Sequence, residues 1–209
     1  MIEINNILDM ELHINGLKAI IFDMDDTLYG EKEYVRSGYR QIAKILPQVQ
    51  DAEGKLWSLF EAKKAAIDEL LICEGLNSEE LKQKCLRIYR FQEPEIHLYE
   101  GVENLLRQLR NKGFLLGVIT DGRPEGQRAK IKALGLESLV DYIIVTDELG
   151  GVEYRKPNPR AFETMKEKLG VEYSEMCYVG DNIKKDFVAP EKLGMRSIWF
   201  KNKDGLYVG

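Results

Sequence analysis

Asp23, Asp25 and Asp26 fall within four residues, in the run Phe22-Asp23-Met24-Asp25-Asp26-Thr27-Leu28 that follows the apolar stretch Ala19-Ile20-Ile21. An apolar run of this kind reads as a buried strand, so two carboxylates one residue apart are expected where that strand ends. Three acids so close repel one another unless a cation sits among them. The chemistry on offer is a carboxylate nucleophile, a second carboxylate for proton transfer, and hard oxygen ligands of the kind that suit Mg2+.

Three later segments have the same character. Thr120-Asp121-Gly122 follows the apolar run 114–120, Arg155-Lys156-Pro157-Asn158-Pro159 follows the run 142–146, and Gly180-Asp181-Asn182 follows the run 176–180, with Asp186 five residues beyond Asp181. Each is weak alone: Asp-x-Asp is often a turn, and Lys-Pro-x-Pro often leads into a helix. Four in order, all at strand ends, supply acid, hydroxyl, ammonium and acid to one edge of a sheet. Ligands in open α/β sheets bind beyond the carboxyl ends of the strands. The set reads as a magnesium-dependent site at which a carboxylate attacks phosphate.

The elements that must position these groups follow from periodicity. Strands are expected at 18–24, 114–120, 142–146, 176–180 and 196–200, alternating with helices at 101–112, 124–134, 159–169 and 184–193. Pro124 suits a first helical turn, and Gly135 and Gly170 suit helix stops. Such alternation implies a parallel sheet covered on both faces. Between the first strand and the rest lies a block with apolar residues at helical spacing over 34–46, 52–73 and 78–92. The fold class is therefore α/β, a Rossmann-like parallel sheet with an inserted all-helical domain. Residues 1–17 are expected to form a short strand or an ordered arm, with no assigned function.

This pattern resembles the haloacid dehalogenase-like (HAD) superfamily over nearly the whole chain. Phe22-Asp23-Met24-Asp25-Asp26-Thr27-Leu28-Tyr29 is similar to its first motif, Thr120 to the second, Lys156 to the third, and Gly180-Asp181 with Asp186 to the fourth. The resemblance implies a core of residues 1–30 and 95–209 and a helical cap of residues 31–94. It implies a phosphatase with Asp23 as nucleophile, through an aspartyl-phosphate, and Asp25 as general acid and then general base. Mg2+ would be held by the Asp23 carboxylate, the Asp25 main-chain carbonyl and Asp181. Thr120 and Lys156 would bind the phosphoryl oxygens, helped by main-chain N–H groups at Met24, Asp25, Asp121 and Gly122. Asp186 is expected to orient Lys156 or a metal-bound water rather than ligate, with Asn182 supporting the same loop. Asp26 and Thr27 are expected to shape the loop. Asp121 stands where many relatives have Asn, and Arg155 where Gly is frequent. The implied substrate is a small phosphorylated metabolite. Alternatives are a phosphomutase using the same residues, a dehalogenase, which lacks the acid at the Asp25 position, and a module without activity.

Composition narrows the field further. The chain has 209 residues, a net charge of −5 and 31% charged residues. The acidic balance argues against general nucleic-acid binding. No apolar run approaches the roughly 20 residues that span a bilayer, and the first residues do not read as a signal peptide. Three cysteines without a Cys-x-x-Cys pair, Cys73, Cys85 and Cys177, favour a reducing compartment, so a cytoplasmic protein, monomer or homodimer, is expected. Two histidines, His13 and His97, make a histidine zinc site or a Ser/His/Asp triad a poor reading. Tyr34, Arg36, Tyr39 and Arg40 read equally as substrate contacts or as an ordinary helix face, and Lys184-Lys185 reads as solvated surface.

Overall fold

The computed structural model describes residues 1–206. It contains two compact units, one formed by Met1–Glu31 with His97–Gly209 and the other by Lys32–Ile96.

The first unit is built on six strands: β1 (Ile2–Ile4), β2 (Ala19–Phe22), β3 (Leu115–Thr120), β4 (Tyr142–Val145), β5 (Met176–Gly180) and β6 (Arg196–Phe200). All the pairings are parallel, in the order β1-β6-β5-β2-β3-β4. β2, β3 and β5 are almost wholly buried and almost wholly apolar, as strands covered on both faces must be. The chain leaves β2 for β3 and β4 on one side, then returns to β5 on the other. That reversal makes the carboxyl end of β2 the switch point of the sheet.

Within the second unit, α1 (Glu31–Lys44) contributes all but its first residue, and α2 (Ala52–Glu61), α3 (Ala66–Cys73) and α4 (Glu79–Arg90) complete it. Ile42, Leu46, Leu56, Leu70, Leu71 and Cys85 form its core. Asp51 and Ser78 cap α2 and α4 through side-chain bonds to Gly54 N and Leu81 N, at 3.2 and 3.3 Å. The expected single helix over 52–73 is two helices. The break is at Lys63, whose φ of 57° is left-handed, with Lys64 N donating back to Leu59 O at 3.0 Å. That is the helix-ending geometry usually reserved for glycine, and no Gly or Pro announces it here. In this unit Tyr34 and Tyr39 are buried, Arg36 pairs with Glu53, and Arg40 pairs with Glu53 and Glu95.

The remaining helices are α5 (Val102–Asn111), α6 (Pro124–Ala133), α7 (Arg160–Leu169) and α8 (Val188–Leu193). One side of the sheet packs Ile21, Ile119 and Tyr178 against Phe162 and Met165 of α7. The N-terminal arm is part of the sheet: β1 lies beside β6, with Ile2 opposite Ile198 and Ile4 opposite Phe200. A 3-10 helix follows it at Ile7–His13. The helix expected over 184–193 begins four residues later, because the preceding turn is spent on the site described next.

Candidate active site

β2 carries the first acid into place by backbone pairing. Phe22 lies opposite Val118 of β3 and Val179 of β5, and Asp23 N adds one more rung by donating to Val179 O at 2.8 Å. The chain then turns, with Leu28 N donating to Met24 O at 3.0 Å, and Asp26 adopts a φ of 54°. Asp26 is buried and spends its carboxylate on loop backbone: Oδ1 accepts from Glu31 N at 2.9 Å and Oδ2 from Leu206 N at 2.6 Å. It shapes the loop, as Asx residues in turns do.

Two clusters result, and they share β2 as their support. In the first, Lys156 Nζ lies 2.7 Å from Asp23 Oδ1, 2.8 Å from Asp186 Oδ1 and 2.8 Å from the Tyr178 hydroxyl. Lys156 and Asp186 are fully buried, and the Asp23 side chain is 4% exposed. The carboxylate oxygens of Asp23, Asp181 and Asp186 lie within 4.8 Å of one another. Thr27 Oγ1 donates to Asp181 Oδ1 at 3.4 Å, and Trp199 Nε1 holds the Asp181 main-chain carbonyl at 2.8 Å. Asp186 Oδ2 accepts from Asn182 N at 2.9 Å, and Asn182 Oδ1 accepts from Lys184 N at 3.1 Å. This hydrogen-bonded turn delays α8. Gly180 is required by the same packing, since a Cβ there would stand 2.6 Å from Asp186 Oδ2.

Electrostatics in this cluster are unbalanced. Burial pushes the Asp23 carboxyl up to about 7, because Lys156 offsets only part of the desolvation and Asp186 opposes it. Burial, with the charges of Asp23 and Asp186, pushes Asp181 up to about 8. Burial also opposes the charge on Lys156, but Asp186 and Asp23 more than offset it and hold the ammonium well above its ordinary value. Three carboxyl groups face one buried ammonium in a dry site, an excess of acid that raises both Asp23 and Asp181. An all-oxygen donor set with that excess fits a hard divalent cation such as Mg2+.

The second cluster surrounds Asp25. Its Oδ1 accepts from the Tyr29 hydroxyl and from Lys130 Nζ at 2.6 Å, and its Oδ2 from Gln127 Nε2 at 2.8 Å and Thr120 Oγ1 at 3.4 Å. Burial pushes Asp25 up, but the Lys130 charge and the hydrogen bonds from Lys130, Tyr29 and Gln127 outweigh it. The carboxyl is held below its ordinary value. The two neighbouring acids are thus driven in opposite directions, an arrangement that separates roles between paired carboxyls.

The structure brings Asp23, Lys156, Asp181 and Asp186 together, and sets Asp25 and Thr120 beside one another. The Asp121 side chain serves the loops: Oδ1 accepts from Thr146 Oγ1 and Lys156 N, both at 3.0 Å, and Oδ2 pairs with Lys185 at 3.2 Å. Its extra negative charge relative to Asn is therefore matched by an ammonium. Lys185 was expected on solvated surface. It is instead only 32% exposed, and its charge is felt by Asp23. Arg155, where Gly is frequent, makes two 2.7 Å bonds to Asp147 with its side chain 38% exposed. Gln127, Lys130, Tyr29 and Trp199 were not anticipated. For the first two a signal existed: Gln127, Lys130, Ile131 and Leu134 form an i, i+3, i+4, i+7 stripe, and all four are buried. Polar residues on the buried stripe of a helix are the mark of an internal partner.

Residues 20–200 match the haloacid dehalogenase-like hydrolase family. A glyceraldehyde 3-phosphate phosphatase of Methanopyrus kandleri is 29% identical over 87% of this chain and 83% of its own length. An (S)-2-haloacid dehalogenase of Burkholderia cepacia is 28% identical over 49% of this chain and 41% of its own length. Among solved structures, a HAD-superfamily hydrolase of Geobacter sulfurreducens superposes with a TM-score of 0.66 at 20% identity, covering 90% of this chain and 89% of that one. With its four strand-end motifs gathered at the switch point of a parallel sheet, the chain belongs to the haloacid dehalogenase-like hydrolase family.

Proposed function

We propose that this hydrolase is a phosphomonoesterase acting on a small phosphorylated metabolite through an aspartyl-phosphate intermediate. The observation that carries the reading is the opposed pair of acids. Asp23 lies against a buried ammonium in an under-neutralised carboxylate cluster, and Asp25 lies two residues away among four donors. A single attacking carboxylate would need only the first of these environments.

In the first step the Asp23 carboxylate attacks phosphorus, and the bond from phosphorus to the leaving oxygen breaks. Lys156 bears on the phosphoryl oxygens and on Asp23, and Asp186 fixes Lys156 from behind. Mg2+, held by Asp23, Asp181 and the Asp25 main-chain carbonyl, would supply the positive charge that lets an anionic phosphate approach an anionic nucleophile. In the second step water attacks the aspartyl-phosphate, gives its proton to Asp25, and frees Asp23. Lys130 suits Asp25 to this base role. Donation to the leaving oxygen requires the Asp25 carboxylate to part from Lys130 Nζ, since a cation at 2.6 Å disfavours the protonated acid. Residues 32–96 would act as the cap that selects the leaving group.

The test is phosphate release from a panel of esters with Mg2+ and with chelator. Glyceraldehyde 3-phosphate heads the panel because it is the substrate named for the Methanopyrus kandleri relative. Phosphoserine, nucleotides, hexose phosphates and nitrophenyl phosphate complete it, with a 2-haloacid as a control for carbon–halogen cleavage. Mg2+-dependent phosphate release with one ester far ahead is expected. Halide release without phosphate release would overturn the reading.

A further inference from the structure

Gln127 and Lys130 are three residues apart on α6, so they project from the same helix face. Both are buried, at 4% and 5% exposure, although their residue types are normally solvated. Between them they engage both oxygens of Asp25, Lys130 at 2.6 Å on Oδ1 and Gln127 at 2.8 Å on Oδ2. Gln127 Nε2 also donates to Thr120 Oγ1 at 2.5 Å. A Cβ on Gly122 would meet the Gln127 side chain at 3.1 Å, so Gln127 also packs on the glycine of that loop. One face of α6 therefore grips the second acid and the loop after β3 at once. A purely structural tie between helix and loop would need one of these bonds. A donor on each oxygen of one carboxylate restricts its rotation.

We propose that Lys130 and Gln127 are positioning residues that orient the Asp25 carboxylate to receive the proton of the attacking water during aspartyl-phosphate hydrolysis. The inference rests on the function proposed above. In the step they serve, the water oxygen bonds to phosphorus, the bond from phosphorus to Asp23 breaks with its electron pair returning to the carboxylate, and the water proton passes to Asp25. Neither Lys130 nor Gln127 touches the reacting atoms.

The experiment is rapid-quench kinetics with nitrophenyl phosphate and Mg2+ on wild type, Lys130→Met, Gln127→Leu and an Asp25→Asn control. Nitrophenolate leaves without a proton, so its burst reports phosphorylation of Asp23 independently of Asp25. A positioned general base contributes about 10²- to 10⁴-fold, and loosening it should cost a part of that, about 10- to 100-fold. The expected result for Lys130→Met and Gln127→Leu is a burst rate within about threefold of wild type. Steady-state turnover should fall by the larger factor, with accumulation of acid-stable phosphoprotein. Equal slowing of burst and turnover, or loss of thermal stability with unchanged turnover of the folded fraction, would overturn the proposal and leave a structural tie. If Lys130→Met does not fold, Gln127→Leu decides, because it removes the two hydrogen bonds of an uncharged side chain and leaves the Lys130–Asp25 charge pair intact. Absence of any phosphoprotein, even in Asp25→Asn, would overturn the covalent mechanism itself, a result distinct from failure of the positioning roles.

Discussion

Lys156→Met removes the ammonium that contacts both Asp23 and Asp186. At 2.7 and 2.8 Å, with an effective dielectric of about 20, each contact is worth about 6 kcal/mol before desolvation is counted. Desolvation cancels much of that, and breaking a buried pair from one side costs about 3–5 kcal/mol in practice. In a chain of this size each kcal/mol moves the melting midpoint by about 2–4 °C, so the variant should melt about 6–20 °C below wild type in chelator. The acidic cluster of Asp23, Asp181 and Asp186 then loses the buried ammonium that contacts Asp23 and Asp186. Mg2+ should therefore raise the melting midpoint of Lys156→Met by more than it raises that of wild type, while turnover is lost. Thermal melts followed by circular dichroism, in chelator and in Mg2+, read both effects. A variant as stable as wild type in chelator, or one that gains less from Mg2+ than wild type does, would refute the argument that Lys156 is the neutralising partner of this cluster.

Asp23→Asn should abolish phosphate release in the panel assay while the far-ultraviolet spectrum is unchanged, and turnover at the wild-type rate would remove Asp23 as nucleophile. Because burial raises Asp23 to about 7 and Asp181 to about 8, the metal-free folded state holds protons that the unfolded chain, with carboxyls near 3.8, has already lost. Stability from this source is full below about pH 4 and is lost as pH rises through about 8. Mg2+ binding must displace the same protons, so calorimetry should find affinity rising from pH 6 to about 8 and levelling above, with proton release near pH 7. An affinity flat across that range would contradict it. Gly180→Ala places a methyl 2.6 Å from Asp186 Oδ2, so kcat should drop about tenfold or more as Asp186 is displaced from Lys156. A variant with unchanged kcat would show that the carboxylate can move without consequence.

Much of the site was legible because its parts are local. Asp23, Thr120 and Asp181 each follow a short apolar run, and a parallel sheet brings the ends of such runs to one edge. The partners of Asp25 were not legible in the same way. Lys130 is 105 residues from it in the chain, and Gln127 is 102. A Gln and a Lys in a charged helix look like solvent-facing residues until the buried stripe they occupy is noticed. Lys185 misled for the same reason: a lysine pair reads as surface unless one knows that Asp121 lies opposite. The break at Lys63 carried no signal because no Gly or Pro marks it and a left-handed lysine is a rare choice. The arm at Ile2–Ile4 became an edge strand only because β6, nearly two hundred residues away, offered it an open ladder.

By itself the sequence determined the α/β class and the helical insertion, which follow from short-range periodicity, and its strand-end motifs named the residues proposed here as reactive. Tertiary structure alone decided how the charges are shared. It gave Asp23 a buried ammonium and two acidic neighbours, and gave Asp25 a lysine, a tyrosine, a glutamine and a threonine. Proton affinity depends on burial and on charges within a few ångströms, and those distances exist only after the chain has folded.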